Sequence, residues 1–255
     1  MKTIAIGIQK GGTGKTTIAV SLAAELAKHG STLLIDADPQ GNATSWLWNE
    51  TLKAELAGVF TGVIDVRAAT VPTATPGLFL LPTAGLGGNL KTYIYSETEM
   101  KQLANFKNLI RETARQGYKY CVIDLSPAFG YMEQAAYITA DEIITPIMPD
   151  PFGMEGLEIF TDNLARLKDQ IEAVGMGRMG AYNRLVINAV DNRLKLHGEI
   201  IEDVKKAAKQ KAYFIPVDQA FRRAQIAYHP IQAEDAKKDT LTELSRLATE
   251  LTMEA

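Results

Sequence analysis

The chain has a single cysteine, no apolar run approaching the roughly 20 residues that span a bilayer, and no linker rich in Ser, Gly or Pro. One cysteine excludes a disulfide within the chain and a four-cysteine metal site. Cys121, inside the apolar run Cys121-Val122-Ile123, reads as a small core residue and not as a reactive thiol. Without an apolar span the chain is expected to be soluble. Met1-Lys2-Thr3 passes straight into a strand-like run with no secretory pattern, so the cytoplasm is the expected compartment. No repeat or low-complexity tract divides the sequence, and residues 1–255 are expected to form one α/β domain. A large charge excess is also lacking, because the formal net charge is −3. The distribution is nevertheless uneven, with 13 Lys and Arg against 9 Asp and Glu between residues 178 and 246. Such a bias marks either a solvated mixed-charge surface or a face that contacts phosphates.

What is present is an alternation of short apolar runs and helical periodicity. Thr3 to Ile8 reads as a strand. Ile18, Leu22 and Leu26 then recur at helical spacing until Lys28-His29-Gly30 supplies a basic end and a glycine stop. Leu33-Leu34-Ile35 returns as a strand buried on both faces. The same theme continues in the strand-like runs Leu78 to Leu81, Tyr120 to Ile123, Ile143 to Ile147, Leu185 to Ile187 and Tyr213 to Ile215. Helices are expected over Glu97 to Arg115, Gly156 to Val174 and Glu199 to Gln210. Residues 58–77 and 82–92 have weaker periodicity and read as surface connections. The fold class that follows is α/β, a mostly parallel sheet with helices on both faces and ligands at the carboxyl ends of its strands.

Residues 10–17, Lys-Gly-Gly-Thr-Gly-Lys-Thr-Thr, stand between the first strand and the first helix. Gly11, Gly12 and Gly14 permit backbone conformations in which successive N–H groups converge on phosphate oxygens, and the helix adds the positive end of its dipole. Lys15 is spaced to reach β- and γ-phosphates, and the Thr16 hydroxyl to ligate the Mg²⁺ that bridges them. The strict phosphate-loop pattern wants glycine where this chain has Gln9.

That variant resembles the deviant Walker A loop of the ParA/MinD ATPases, whose hallmark is a second lysine, here Lys10. The resemblance implies a P-loop NTPase of the deviant Walker A type that binds ATP with Mg²⁺. It also implies a homodimer in the ATP state, with Lys10 reaching the partner's nucleotide, although Lys10 read alone is a solvated loop charge. Lys10, Gly11, Gly12, Thr13, Gly14, Lys15, Thr16 and Thr17 become nucleotide contacts, and Lys10, Lys15 and Asp38 the catalytic set. Asp36-Ala37-Asp38-Pro39-Gln40-Gly41-Asn42 is similar to the family's switch segment, in which the residue matching Asp38 attends the attacking water. A carboxylate at a strand end beside the loop can orient water, while a turn or helix-cap aspartate is the plainer reading. Cys121-Val122-Ile123-Asp124 resembles the Walker B strand and makes Asp124 a metal contact beside Thr16. Leu125-Ser126-Pro127 departs from the family's X-Pro-Pro at Ser126.

Phe152-Gly153-Met154-Glu155-Gly156-Leu157 is similar to a family segment that opens a helix near the subunit interface; Glu155 is equally an ordinary first-turn acid. The resemblance further assigns Asn188, Pro216 and Asp218 to the adenine. Small ParA-type (Soj-like) partition ATPases coat the nucleoid as nucleotide-bound dimers and are released by a ParB-like activator. The implied role is therefore an ATP-dependent switch that binds DNA non-specifically and segregates or positions a plasmid, chromosome or other large cargo. Nothing precedes the first strand, so an operator-reading domain is not expected. Relatives carry an arginine at the position of Ala220, whereas Arg222 and Arg223 stand a turn later here, and Lys237 and Lys238 lie near an Arg-rich stretch of the family. These four are the expected DNA contacts.

Two other classes compete. A MinD-like ATPase positioned at the membrane surface ends in a basic amphipathic helix. Thr240 to Ala255 does place Leu241, Leu244, Leu247 and Leu251 at helical spacing, but it closes on Glu250, Met253 and Glu254 with no lysine, so it is expected to pack on the body and no membrane partner is expected. A metabolite kinase or ligase fits poorly with Lys10 and the Asp38 segment, and the related iron–sulfur reductases need cysteines that this chain lacks.

Overall fold

The computed structural model describes residues 1–175 and 178–254. Eight strands form one sheet: β1 (Lys2–Ile6), β2 (Thr32–Ala37), β3 (Val71–Pro72), β4 (Leu78–Leu81), β5 (Tyr120–Leu125), β6 (Glu142–Ile147), β7 (Ala181–Val190) and β8 (Lys211–Pro216). Their spatial order is β3-β4-β2-β5-β1-β6-β7-β8, and every pairing is parallel except that of β3 with β4. The helices are α1 (Lys15–Ala27), α2 (Asn42–Leu47), α3 (Leu56–Phe60), α4 (Val66–Ala69), α5 (Leu90–Ser96), α6 (Glu99–Arg115), α7 (Tyr131–Thr139), α8 (Pro151–Ala173), α9 (Lys195–Ala207), α10 (Ala220–Ile226) and α11 (Lys238–Met253). The mostly parallel sheet with helices on both faces is the expected α/β architecture.

Alternation along the central strands divides the core in two. Leu33, Ile35, Cys121 and Ile123 turn to one face, under Phe106 and Leu109 of α6, Met132 of α7 and Phe160 and Leu164 of α8. Ile4, Ile6, Leu34 and Val122 turn to the other, under Ile18, Leu22 and Leu26 of α1 and Leu244, Leu247 and Leu251 of α11. The continuous apolar runs are thus strands covered twice, as parallel strands require. Ala19, Ala23 and Ala24 are buried too, so α1 lies close between sheet and α11. Cys121 is fully buried, and that burial pushes its thiol pKa well up, as an inert core residue requires.

Several boundaries differ from the sequence expectation for local reasons. Helix α8 begins at Pro151, five residues before Gly156, because Asp150 caps it, accepting from Gly153 N at 2.6 Å, and proline fits the first turn. Helix α6 begins after its cap Thr98, and α9 runs from Lys195 to Ala207, not from Glu199 to Gln210. Residues 58–77 are not merely surface connections. Phe60, Val66 and Ala69 are buried, and the segment holds α4, part of α3 and the antiparallel edge strand β3. Residues 82–89 do form a connection, but α5 starts at Leu90. The expected last helix is α11; its proposed final residue, Ala255, lies outside the described residues.

Helix α11 packs on α1 and β8. Burying Leu244, Leu247 and Leu251 stabilises that contact by about 1.5–3 kcal/mol each. At its end, Arg184 of β7 joins Glu142 of β6 and Glu254, both at 2.6 Å, and Lys2 Nζ donates to Leu251 O at 3.1 Å. Arg184 and Glu142 are buried, whereas the Glu254 side chain is 55% exposed. Arg184→Ala, which leaves Glu142 buried without its partner, is expected to cost about 3–5 kcal/mol. Glu254→Gln at the exposed end is expected to cost no more than about 1 kcal/mol. Urea unfolding of the two variants measures the contrast.

Candidate nucleotide-binding site

Strand β1 stops at Ile6, and the chain crosses to α1 through a loop in which Gly12 (φ +77°) and Gly14 (φ +92°) adopt the left-handed region. The left-handed φ calls for glycine at position 14, and a Cβ there would also lie 2.1 Å from Asn188 Nδ2 and push that side chain aside. Nothing lies within 4 Å of where a Cβ would project from Gly11 or Gly12. The loop therefore has a closed floor and an open outer side, and the Thr13 hydroxyl is buried in it without a partner.

Lys15, the first residue of α1, is buried, and its Nζ donates to Lys10 O at 2.8 Å. Burial lowers its pKa, against the pull of Asp124, Asp38 and Glu133. Those acids gather because β2 and β5 are neighbours in a register that sets Asp36 opposite Asp124. Asp36 is fully buried, and its Oδ2 accepts from both the amide and the hydroxyl of Thr44 at 2.7 Å. Burial pushes its pKa up to about 7 despite those bonds, and Asp38 adds to the rise. Asp38 Oδ1 accepts from Gln40 N at 2.8 Å and its carbonyl from Gly41 N at 2.9 Å. Asp38 thus forms a tight turn at the edge of the acid cluster.

Asp124 is the least compensated group. Both oxygens are buried with no hydrogen-bond partner of regular geometry. Burial and then Asp36 push its pKa well above the carboxylate range, while the neighbouring Thr16 hydroxyl and Lys15 act in the opposite sense. Among the described residues no three His, Cys, Asp or Glu side chains are grouped so as to hold a metal by themselves. Thr16 and the unpartnered Asp124 fit a Mg²⁺ that draws its remaining ligands from phosphate and water.

The other sequence candidates fall into distinct places. Lys10 Nζ lies 3.3 Å from Asp150 Oδ1 and 5.4 Å from the centre of the Phe152 ring, outside the loop's own cradle. Gly156 leaves room for its stem, since a Cβ there would touch Lys10 Cδ at 3.4 Å, whereas Glu155 is exposed. Asn188 Nδ2 donates to Thr13 O at 3.0 Å, beneath the phosphate loop. Thr17 stands in the first turn of α1, and Pro216 ends β8, half-buried. Asp218 is engaged within the chain: Oδ1 accepts from Ala220 N, and Oδ2 from Lys237 N and Thr240 Oγ1, at 2.8–2.9 Å. Arg222 and Lys238 are exposed, while Arg223 bonds Glu234 Oε2 and Asp235 O, and Lys237 Nζ bonds Val217 O.

Two participants were not read from the sequence. Glu133 is buried near Lys15, with Oε1 accepting from Ser126 Oγ at 2.6 Å and Oε2 from Gly130 N at 2.9 Å. Its spacing from Gly130, the third residue of a helix after its cap, is the signal that could have found it. Asp150 was signalled by the Asp-Pro pair that opens α8.

The acid cluster has a pH signature. Asp36 binds its proton more tightly folded than unfolded, so its contribution to stability is complete below about pH 4 and is lost as pH rises through about 7. Without nucleotide and in chelator, the thermal midpoint is expected to fall over that window. Asp36→Asn, which still accepts both Thr44 bonds, flattens the fall. Differential scanning fluorimetry across pH 4–8 measures it, and an unchanged slope in the variant would assign the proton elsewhere.

A family model described as an AAA domain, AAA_31, matches residues 1–174, the stretch that holds the phosphate loop and the acid cluster. The chain is 30% identical over 235 residues to the sporulation initiation inhibitor protein Soj of Bacillus subtilis, covering 89% of this chain and 88% of that one. It is 31% identical over 222 residues to the chromosome partitioning protein ParA of Caulobacter vibrioides, covering 84% and 79%. The solved complex of Cyanothece McdA with ATP aligns with a TM-score of 0.82 over 99% of this chain and 96% of that one, at 22% identity, a likeness of fold. With Lys10 heading its phosphate loop, the chain belongs to the ParA/MinD family of deviant Walker A ATPases.

Proposed function

We propose that the chain is an Mg-dependent ATPase that works as a dimerising switch, binds DNA without sequence preference, and segregates or positions a plasmid, chromosome or other large cargo. Its hydrolysis is slow and is stimulated by a ParB-like partner. The observation that carries the reading is the pair of lysines. Lys15 lies inside the cradle on Lys10 O, whereas the Lys10 side chain stands outside it on Asp150 and Phe152. A lysine with no task in its own site is free to serve a partner's.

Each residue then has a task. The loop amides from Gly11 to Thr17 receive the phosphates, and Lys15 leaves Lys10 O to reach the β- and γ-oxygens. Thr16 and Asp124 hold the Mg²⁺, which neutralises charge on the phosphates when bound. Asp38, fixed through one oxygen by Gln40 N, turns the other to the attacking water. Asn188 braces the loop beneath the nucleotide and, with Pro216 and Asp218, borders the base; Asp218 also braces the exit of β8 against α11. The similarity to Soj and ParA supports the partition role. A membrane-surface role finds no support in α11, whose Leu244, Leu247 and Leu251 are buried against the core beside α1 and β8.

Lys15→Ala is expected to lose both nucleotide and dimer. Asp38→Ala is expected to keep ATP and accumulate the dimer while kcat falls by about 100-fold or more. Light scattering with and without ATP, beside a phosphate-release assay, tests both; an Asp38 variant that turns over at the parental rate would reassign the water. For DNA, reversal of Arg222, Arg223, Lys237 and Lys238 to glutamate is expected to weaken retention with ATP binding intact. Reversal of Arg222 and Lys238 alone should already lower the salt dependence by about one to two counterions per subunit. Salt-insensitive, undiminished DNA binding in the fourfold variant would refute the assignment.

A further inference from the structure

Helix α2 follows the Asp38 turn directly and is tied to it, because Thr44 gives its amide and hydroxyl to Asp36. Two residues on, Trp46 is 3% exposed, and its indole N–H donates to His229 O at 2.9 Å across 183 residues of sequence. A buried indole needs a partner, and here the partner is a carbonyl just past α10. The chain is bent there by Tyr228, held at φ +57°, a conformation that a tyrosine adopts at a cost in strain. His229 N closes α10 onto Ala224 O at 3.1 Å.

The same turn leads to a cation. His229 Nε2 lies 3.4 Å from Glu234 Oε1, and the other Glu234 oxygen accepts from Arg223 Nε at 2.9 Å. Arg223 Nη2 meanwhile donates to Asp235 O at 2.8 Å. Arg223 is therefore occupied by its own chain, while Arg222 beside it is exposed and has no partner among the described residues. The Arg223 side chain remains 49% exposed. A pair open to solvent on that side is one that a phosphate, with more charge and more acceptor oxygens, displaces.

We infer that Glu234 is an intramolecular mask on Arg223, and that the Trp46–His229 hydrogen bond links this mask to the nucleotide switch. The inference rests on the DNA-binding reading proposed above and adds its control. In the resting arrangement the Asp36–Thr44 bonds hold α2, Trp46 holds the turn after α10, and Glu234 holds Arg223. When ATP resets the Asp38 segment, α2 shifts, the turn is released, and Arg223 passes from Glu234 to a DNA phosphate. The ligand class is a polyanionic backbone, read by charge and not by sequence.

The test compares wild type, Glu234→Gln, Trp46→Phe and the Arg223→Gln/Glu234→Gln double variant. Anisotropy of a fluorescein-labelled duplex reports DNA affinity with ADP and with a non-hydrolysable ATP analogue at fixed salt. Glu234→Gln is expected to tighten binding in the ADP state by about tenfold and to leave the ATP state within about twofold, so the ratio between states collapses. The double variant loses that gain. Trp46→Phe narrows the same ratio while its ATP affinity and DNA-free hydrolysis stay at wild-type values. In a Trp48→Phe background the Trp46 emission shifts on adding the ATP analogue and not on adding ADP. If wild type distinguishes the nucleotide states but Glu234→Gln leaves the ADP-state affinity unchanged, the mask is overturned and the DNA reading survives. If Trp46→Phe keeps the full ratio, the link through α2 is overturned. If wild type retains no DNA in either state, the DNA reading fails and the mask with it. Glu234 lies in the bend before α11, outside both core clusters, with its side chain 16% exposed, so its variant carries the decision even if the buried Trp46 tolerates no change.

Discussion

Three aspartates crowded at the ends of two neighbouring strands, faced by one buried lysine, set the terms for the rest of the molecule. The β2–β5 register makes Asp36 and Asp124 partners, and both are fully buried. Like charges so placed cannot all ionise freely, and the protein answers each differently. Asp36 is stabilised by Thr44, which also anchors α2. Asp38 is folded into its own turn. Asp124 is left with no such relief, and Lys15 supplies the opposing charge from inside the phosphate loop.

The same cluster explains which parts of the site were legible in the sequence. Gly14 could be read because a phosphate loop needs glycine where the backbone turns left-handed, here at φ +92°. Lys15, Thr16, Asp38 and Asp124 could be read because each sits at a fixed distance from a strand end, and strand ends follow from apolar runs. Long-range pairs could not be read. Nothing local to Arg223 announces Glu234 and the Asp235 carbonyl, and nothing local to Trp46 announces His229. Asp218 belongs to the segment that the family resemblance assigns to the base; its bonds to Lys237 and Thr240 depend on where α11 packs, which spacing along the chain does not encode. Residues 58–77 were misjudged for a related reason, since Phe60 and Val66 are buried by α3–α6 packing and not by a periodic stripe of their own.

Asp150 shows how one residue can join fold and function. Its carboxylate caps α8 through Gly153 N and at the same time receives Lys10 Nζ. Phe152, 71% exposed, adds a ring face to that lysine. Because the pair is half-exposed, it holds Lys10 only weakly. In the dimer proposed above, phosphate oxygens offered by a second subunit would outcompete it, and the helix cap would survive the exchange because Gly153 N stays bonded to Asp150. The position of Lys10 on Asp150 and Phe152 would therefore impose little barrier to the proposed dimer.

The charge bias between residues 178 and 246 has to be weighed after these pairings are counted. Arg184, Arg193, Arg223, Lys211 and Arg246 are all in ion pairs within the chain, so the face near α10 and the start of α11 presents few free cations per subunit. A handful of phosphate contacts gives only weak, salt-sensitive binding. Two such faces held rigidly in one dimer act on the same duplex, and the second engagement becomes intramolecular, which multiplies affinity without any new contact. A sparse cationic face is therefore compatible with firm DNA retention only if dimerisation and retention occur together. Under the proposed function, the nucleotide that joins the subunits would therefore also set the DNA affinity.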